Sequence, residues 1–309
     1  MKRKLNILLA VLLLAGLTAT AQIQRGSKKQ ETKPTTEQPK KKEGTTSKSN
    51  KGGSKKNNQQ SAAERQRLAE EQRRQQEEAE RKRIIQQAID DMVYVEGGTF
   101  TMGATKEQGS GIYDYAKTVH QVTLSSYYIG KYEVTQELWQ AVMGENPSEF
   151  TGFSRRPVER VSWDDCQVFI SKLNELTGRN FRLPTEAEWE FAARGGNQSK
   201  GYRYSGSNDI DEVAWYDDNS GNTTHPVGRK SPNELGLYDM SGNVWEWCHD
   251  WYGDYSSAPQ TNPTGPESGI NRMIRGGGWG RRAIFCCVSF REFHGSALKV
   301  RAIGLRLAL

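Results

Sequence analysis

Residues Arg275-Gly-Gly-Gly-Trp279 open the stretch that decides the fold, and Gly304-Leu-Arg-Leu307 closes it. Three consecutive glycines permit backbone conformations and close approaches that any side chain would forbid. The large aromatic Trp279 follows at once, and the adjacent thiols of Cys286 and Cys287 lie between the two motifs. Because thiols are the most reactive side chains in this stretch, they are the first candidates for chemistry.

The first 22 residues have the pattern of a secretory signal peptide. Basic residues at positions 2–4 precede an apolar run at positions 5–17, and the small-residue sequence Ala19-Thr-Ala21 follows. This order is typical of a signal that is removed on export, and the apolar run is too short for a comfortable membrane span. The sequence therefore predicts an exported protein, periplasmic, secreted or at the cell surface, with no transmembrane segment after signal removal.

The positive charge of the chain is concentrated outside its globular part. The formal net charge is +6, yet residues 23–60 alone carry 11 basic and 3 acidic residues. Once this segment and the basic signal peptide are subtracted, residues 91–309 carry a net charge of −5, which disfavours nucleic-acid binding by that part. Residues 23–60 have almost nothing apolar to bury, so we expect a disordered basic linker that contacts the cell envelope.

Residues 61–90 predict a charged, solvent-exposed helix. Glutamate precedes a basic residue by four positions at several places, the order that supports a helix. The pairs are Glu70 with Arg74, Glu77 with Arg81, and Glu78 with Lys82. Apolar residues gather at the end of the segment, from Ile84 to Ile89. We expect these last turns to dock on the domain that follows.

The remaining residues, 91–309, predict one α+β domain of low regular secondary structure. Met92–Gly103 alternates apolar and polar residues around a Gly-Gly pair, which predicts a β-hairpin. Helices are expected after hydroxyl residues that can cap them. These caps are Thr135, Ser162 and Thr185. The later sequence is rich in Gly, Asn, Asp and Trp, which indicates irregular loops packed around aromatic side chains.

Six motifs in residues 92–309 resemble the formylglycine-generating enzyme family, also called sulfatase-modifying factors. They are Met92–Gly103, Ile129–Thr135, Pro157–Trp163, Arg182–Glu190, Gly236–Trp247, and Arg275–Trp279 with Gly304–Arg306. The motifs occur in the family's order and cover nearly all of this part of the chain. The resemblance implies an α+β domain related to C-type lectins, preceded here by the linker and the polar helix.

The resemblance implies a site for copper-dependent oxidation of a protein cysteine. Active members of the family hold copper(I) between two thiolates and use oxygen to convert a cysteine of a sulfatase to formylglycine. The match places one thiol at Cys286, the candidate catalytic residue, and the other on Arg281. A guanidinium has no lone pair to offer a metal, and Gly278 replaces the serine of active members. The alternatives for Cys286 are a small buried apolar residue and a disulfide or redox role.

The resemblance also implies a calcium site in the segment after Tyr238. The matching positions are Asp239, Gly242, Val244 and Glu246. Calcium takes six to eight hard oxygen ligands, here the two carboxylates together with backbone carbonyls of the turn. The alternative is a tight turn whose tryptophans pack in the core and whose acids are solvated.

The sequence leaves three functions open. The first is an exported oxidase that modifies cysteine in sulfatase-like proteins, for which Arg281 and Gly278 are unfavourable. The second is a non-catalytic binding module whose protein or peptide ligand contacts residues 280–303. That region resembles the diversified C-terminal region of lectin-fold proteins, although burial in the core is the alternative for several of its apolar residues. The third is a structural protein of the cell envelope, tethered by its linker and helix.

Overall fold

A computed structural model describes residues 53–109 and 118–309. The predicted signal peptide at residues 1–22 and most of the predicted linker lie outside these residues. The chain divides into two compact units, Met1–Gln59 and Gln60–Leu309. In the first unit the described residues are helical, and every strand of the described residues lies in the second unit. In the described part of the chain, no helix is long and apolar enough to cross a membrane.

The polar helix α1 spans Gly53–Asp90, so it begins inside the segment expected to be a linker. The predicted pair of Glu78 with Lys82 forms at 2.7 Å, whereas Nε of Arg81 donates to a backbone carbonyl of the following domain at 2.6 Å. Ile85 is buried, and its apolar neighbours in the last turns pack on the same core. The predicted docking of the last turns is confirmed.

The strands of the described residues form three small sheets. In chain order they are β1 (Met92–Val95), β2 (Gly98–Met102), β3 (His120–Leu124), β4 (Tyr127–Gly130), β5 (Trp245–Trp251), β6 (Gln260–Thr261), β7 (Asn271–Arg275), β8 (Glu292–Gly295) and β9 (Ile303–Leu305). β1 pairs with β4, a second sheet has the order β2-β3-β6, and the largest has the order β8-β7-β5-β9. The mixture of short strands and helices confirms the predicted α+β class.

The predicted hairpin at Met92–Gly103 is wrong. Its two strands belong to different sheets, since β1 pairs with β4 and β2 pairs with β3. Gly97 lies directly against the backbone of residues 124–126, and a Cβ there would be 2.5 Å from the carbonyl oxygen of Leu124. The Gly-Gly pair therefore lets the chain cross closely from one sheet to the next, instead of turning back on itself.

Four α-helices follow the first sheets. They are α2 (Gln136–Met143), α3 (Trp163–Thr177), α4 (Glu186–Ala193) and α5 (Ile210–Val213). The three predicted N-caps are confirmed. The Thr135 side chain accepts a hydrogen bond from the backbone N–H of Leu138, and Ser162 and Thr185 each form a reciprocal capping box with the acid three positions later. These caps satisfy backbone donors that would otherwise lack a partner at the helix starts.

The final residues of the chain close the second unit. β9 lies parallel to β5 in the four-stranded sheet. Beyond β9, Leu309 exchanges two backbone hydrogen bonds with Tyr128, and Ala308 exchanges two with Arg182. The C-terminal stretch therefore joins the largest sheet to β4 and to the segment before α4.

Candidate functional site

The triple glycine packs against the candidate catalytic thiol. It follows β7, and Gly276 and Gly277 adopt positive φ angles of 98° and 80°. A Cβ on Gly277 would lie 2.6 Å from Sγ of Cys286 and 2.9 Å from the carbonyl oxygen of Phe285. Glycine is therefore required here both for its conformation and for the close approach.

Cys286 is fully buried at the end of the short 3-10 helix Ala283–Cys286. Burial raises the pKa of its thiol to about 12, with a smaller contribution from Cys287. The group is therefore a protonated thiol at neutral pH, whereas a metal is bound by the thiolate. Sγ of Cys287 accepts a hydrogen bond from Nε of Arg203 at 3.2 Å, so the adjacent thiol has a partner of its own.

The position of the second copper thiol is occupied by an exposed arginine. The guanidinium of Arg281 lies over the ring of Phe285, with its carbon 5.9 Å from the ring centre. Within the described residues, no group of three or more His, Cys, Asp or Glu side chains is placed to hold a metal. A buried protonated thiol beside an exposed arginine does not fit a copper(I) ion held by two thiolates.

Glu246, one of the predicted calcium ligands, is engaged by other side chains. Arg306 binds its carboxylate from Nη2 at 2.6 Å and from Nε at 3.0 Å and 3.1 Å. Nε1 of Trp189 donates to Oε2 of the same carboxylate at 2.6 Å. All three side chains are buried. The Glu246 carboxylate therefore belongs to a buried ion pair, and it does not fit as a ligand of calcium.

Asp239 fits a cation better. It has a positive φ of 57° and is buried. Its Oδ2 accepts a hydrogen bond from the backbone N–H of Gly228 at 2.7 Å, while Oδ1 has no hydrogen-bond partner among the described residues. Burial raises the pKa of this carboxyl to about 6. One buried carboxylate oxygen is thus left for a ligand.

The other two predicted calcium positions lie in the same turn. The backbone N–H of Gly242 donates to the carbonyl oxygen of Gly276 at 2.8 Å. The backbone N–H of Val244 donates to Oε1 of Glu133 at 3.0 Å. Their carbonyl oxygens are the candidate ligands, as the sequence analysis expects, and the turn is held directly against the triple glycine.

Glu133 is an acid of this site that the sequence analysis missed. It is buried, and its second oxygen accepts a hydrogen bond from Nδ2 of Asn243 at 2.6 Å. Burial, with smaller contributions from Asp239 and Glu246, raises the pKa of its carboxyl well above the usual range. The signal that could have found it is an acid directly before Val134 inside the family motif Ile129–Thr135, since a buried acid needs a partner.

Three buried acids therefore share one buried arginine. Asp239 and Glu246 raise the pKa of Glu133, Glu246 raises that of Asp239, and Arg306 favours the charged form of both Glu133 and Asp239. A single guanidinium cannot balance three carboxylates in a low-dielectric interior, so protons or a cation must supply the rest.

The exposed side chains of residues 280–303 form a separate feature, the C-terminal surface. We define it as Arg281, Arg282, Phe285, Glu292 and His294. The two arginines are exposed and the other three are half-buried. Both guanidiniums lie within 6 Å of the Phe285 ring centre, at 5.9 Å and 5.6 Å. Burial lowers the pKa of His294, Glu292 raises it, and the charge of Arg281 lowers it.

Part of residues 280–303 belongs to the core instead. Phe290 is fully buried and meets Phe285 edge to face, with ring centres 4.9 Å apart. Phe293 packs on Tyr252 at 4.0 Å between ring centres. The alternative of burial in the core is thus correct for Phe290, and neither residue is counted in the C-terminal surface.

Known proteins resemble the chain over its second unit. Residues 75–309 match the family model described as a sulfatase-modifying factor enzyme 1-like domain. The chain is 43% identical over 240 residues to the chaperone protein LppX of Paenibacillus barcinonensis, covering 62% of this chain and 79% of that protein. It is 30% identical over 279 residues to the formylglycine-generating enzyme of Thermomonospora curvata, covering 66% of this chain and 88% of the enzyme.

A solved structure supports the same fold. Treponema denticola variable protein 1 is 36% identical, with a TM-score of 0.63 over 70% of this chain and 94% of that one. Chlamydial relatives named serine/threonine-protein kinase pkn1 are much longer, and the chain spans 34% of their length. The expected α+β fold of the family is confirmed.

Proposed function

Since the chain belongs to the sulfatase-modifying factor enzyme 1-like family, we propose that it uses that fold as a binding module and not as a cysteine oxidase. Its ligand is a protein or peptide with acidic side chains, bound at the C-terminal surface. The poor fit of Cys286 and Arg281 to copper supports a role without oxidation. Two relatives are named a chaperone protein and a variable protein, names that favour binding.

The observation that carries the proposal is the way Arg281 is held. Its backbone N–H donates to the carbonyl oxygen of Gly278 at 2.9 Å, and its own carbonyl oxygen accepts from the N–H of Asp217 at 3.1 Å. The side chain of Arg281 is exposed. A rigid backbone that presents exposed side chains on a loop is the usual basis of a binding site.

The side chains of the surface indicate an acidic ligand. Arginine and aromatic residues are enriched at protein interfaces, and a guanidinium binds a carboxylate through two parallel hydrogen bonds. Nearby, the guanidinium of Arg301 lies 5.3 Å from the ring centre of Trp279, and Nε1 of Trp279 donates to the Arg301 carbonyl oxygen at 2.9 Å. The positive and aromatic groups are therefore held in place before a ligand arrives.

We expect the double variant Arg281→Glu/Arg282→Glu to lose binding of acidic peptides by at least about tenfold, because two attractive charges become repulsive. The probe is a displayed library of random peptides selected on the full chain, with enriched peptides then titrated calorimetrically. Enrichment of Asp and Glu is expected. The control is Arg179→Glu, the same type of substitution at a single exposed residue after α3. The proposal is contradicted if Asp and Glu are not enriched in the selected peptides, or if the double variant binds these peptides as tightly as the native chain does.

Copper(I) titration of the full chain and of Cys286→Ala tests the oxidase alternative. We expect the same copper affinity in both proteins, because Cys286 is a buried thiol of high pKa. A peptide with a sulfatase motif, incubated in air with the copper-loaded chain, should keep its mass. Copper binding that is lost in the variant, together with an oxidised peptide, would restore the oxidase.

We also propose a calcium ion beside Asp239. The unpartnered Oδ1 and the excess of buried acid support it, and calcium prefers hard oxygen ligands. The carbonyl oxygens of Gly242 and Val244, with water, would complete the shell. Glu246 is not among the ligands, because Arg306 holds its carboxylate.

Calcium is expected to raise the melting temperature relative to a chelator, since a ligand at one hundred times its Kd adds about 2.7 kcal/mol to the stability of the folded state. The increase should disappear in Asp239→Asn. Asp218→Asn, an exposed acid, should keep it. Equal melting temperatures of the native chain in calcium and in chelator would refute the site.

Export would place the C-terminal surface outside the cytoplasm, where residues 23–60 could contact the cell envelope. The signal pattern in residues 1–22 supports this location. Mass spectrometry of the protein isolated from cells tests this location, because an exported chain should lack residues 1–22.

A further inference from the structure

An acidic cavity of about 530 Å³ is lined by none of the residues of the C-terminal surface. Its wall combines the end of β5, the loop at residues 253–266, the start of α4, and His120 of β3. We propose that this cavity binds a primary ammonium group on an aliphatic stem, the chemistry of a lysine side chain. The inference uses none of the residues of the C-terminal surface, so it stands or fails independently of the proposed function.

Asp250 supplies the anchor of the cavity. Its side chain is buried and only 3% exposed, and Oδ2 accepts a hydrogen bond from the backbone N–H of Glu186 at 2.9 Å. No described residue donates a hydrogen bond to Oδ1. A Cβ on Gly265, which has a φ of 74°, would lie 3.2 Å from Oδ1. Glycine therefore leaves open the space beside the one unpartnered oxygen.

The remaining charges of the cavity make it negative. Nε and Nη2 of Arg291 donate to the two oxygens of Glu186 at 2.6 Å and 2.8 Å, so the charge of this arginine is compensated by an acid that Arg275 also contacts, at 3.3 Å. Burial lowers the pKa of His120, which keeps the imidazole neutral at neutral pH. Asp254, and Asp250 once it has lost its proton, are then the unbalanced acids, and a partly enclosed cavity with unbalanced negative charge attracts cations.

The shape of the site favours an ammonium over a guanidinium. A guanidinium binds best to both oxygens of one carboxylate, yet Oδ2 of Asp250 is already used by the Glu186 backbone. An ammonium is a compact charge that one oxygen can accept. Apolar side chains also line the cavity, among them Met102, Pro263 and Pro266, and they can cover an aliphatic stem while the charged end reaches the acid.

Ligand binding should be coupled to loss of a proton. Burial, with smaller contributions from Glu186 and Glu188, raises the pKa of Asp250 to about 8, while the backbone N–H of Glu186 and the charge of Arg291 oppose the shift. Among the other cavity groups, Asp254 is acidic and His120 neutral. At pH 7 the Asp250 carboxyl is mostly protonated, and an incoming cation favours its charged form. The released proton is a signature that a purely structural aspartate would not give.

The test is calorimetric titration of the full chain with acetyl-Gly-Lys-Gly-amide and with butylamine. We expect binding of the lysine peptide, weakened about tenfold in Asp250→Asn and unchanged in Glu175→Gln, an exposed acid of α3. Asparagine can still accept from the Glu186 backbone, so the variant should fold. Asp254→Asn, at the exposed rim, should weaken binding less.

The controls identify the source of the amine. Butylamine that binds as well as the peptide shows that a free amine suffices, and a response to the peptide alone shows that the lysine must belong to a chain. Titrations at pH 7 in buffers of different ionisation enthalpy should show proton release by the native chain and not by Asp250→Asn. The inference is overturned if neither amine binds, if an ε-acetyllysine peptide binds equally, or if Asp250→Asn keeps full affinity.

Discussion

Replacing Arg306 with alanine is expected to destabilise the Gln60–Leu309 unit by about 3–5 kcal/mol, because it leaves a buried carboxylate without its counter-charge. Arg306 is fully buried and bonds both oxygens of Glu246. It also donates to the carbonyl oxygens of Gly130 and Tyr238, each at 2.8 Å. The substitution therefore removes an ion pair and leaves two carbonyl groups without a donor.

Chemical denaturation measures this loss, with Lys299→Ala as the matched control. Lys299 pairs with Asp165 at 2.7 Å, but its side chain is 54% exposed, so its removal should cost less than about 1 kcal/mol. The double variant Glu246→Gln/Arg306→Met should be more stable than Arg306→Ala, since it also removes the charge of the carboxylate that Arg306 binds directly. Equal losses of stability for Lys299→Ala and Arg306→Ala would show that the buried ion pair contributes no more to stability than the exposed one.

Gly277→Ala is expected to destabilise the same unit by about 2–4 kcal/mol. Its φ of 80° is unfavourable for any residue with a Cβ, which costs about 1–3 kcal/mol. The new methyl group would also lie 2.6 Å from Sγ of Cys286, and overpacking of this kind costs about 1–3 kcal/mol. The two costs act together because the backbone and the buried thiol restrict the same position.

Gly280→Ala is the matched control for this prediction. No atom lies within 4 Å of a Cβ placed there, and its φ is not in the positive region. The free energy of unfolding of Gly280→Ala, measured with denaturant, should stay within about 0.5 kcal/mol of that of the native chain. Adding Cys286→Ala to Gly277→Ala should recover only part of the loss, because the φ penalty and the contact with the Phe285 carbonyl remain. Full recovery of the stability would show that the contact with the Cys286 thiol alone causes the loss in Gly277→Ala.

Local features of the fold could be predicted from the sequence, because their causes lie within a few residues. The helix starts at Thr135, Ser162 and Thr185 depend on a hydroxyl and on the next turn of the helix, and all three are confirmed. The hairpin at Met92–Gly103 failed because the partners of its strands lie elsewhere in the chain. A Gly-Gly pair permits a turn and a close crossing equally well. Which of the two forms depends on the contact with Leu124, which is distant in the sequence.

The candidate site was harder to predict for the same reason. Glu246 has the composition of a calcium ligand, but its partner Arg306 lies 60 positions later. Glu133 reaches Val244 across 111 positions, a pairing that no spacing rule reveals. Asp239 was identified by motif, and its unpartnered oxygen could be seen only in three dimensions. The state of Cys286 was also open, because burial is a property of the whole core.

The position of β9 sets an order on the synthesis of the protein. Arg306, Ala308 and Leu309 bind groups that leave the ribosome well before them, from Tyr128 to Glu246. Until these residues leave the ribosome, the carboxylate of Glu246 lacks the guanidinium of Arg306. The four-stranded sheet also lacks β9, so β5 lies at an open edge. The second unit can therefore complete its fold only after residues 303–309 have left the ribosome, and until then that edge is exposed to pairing with other chains.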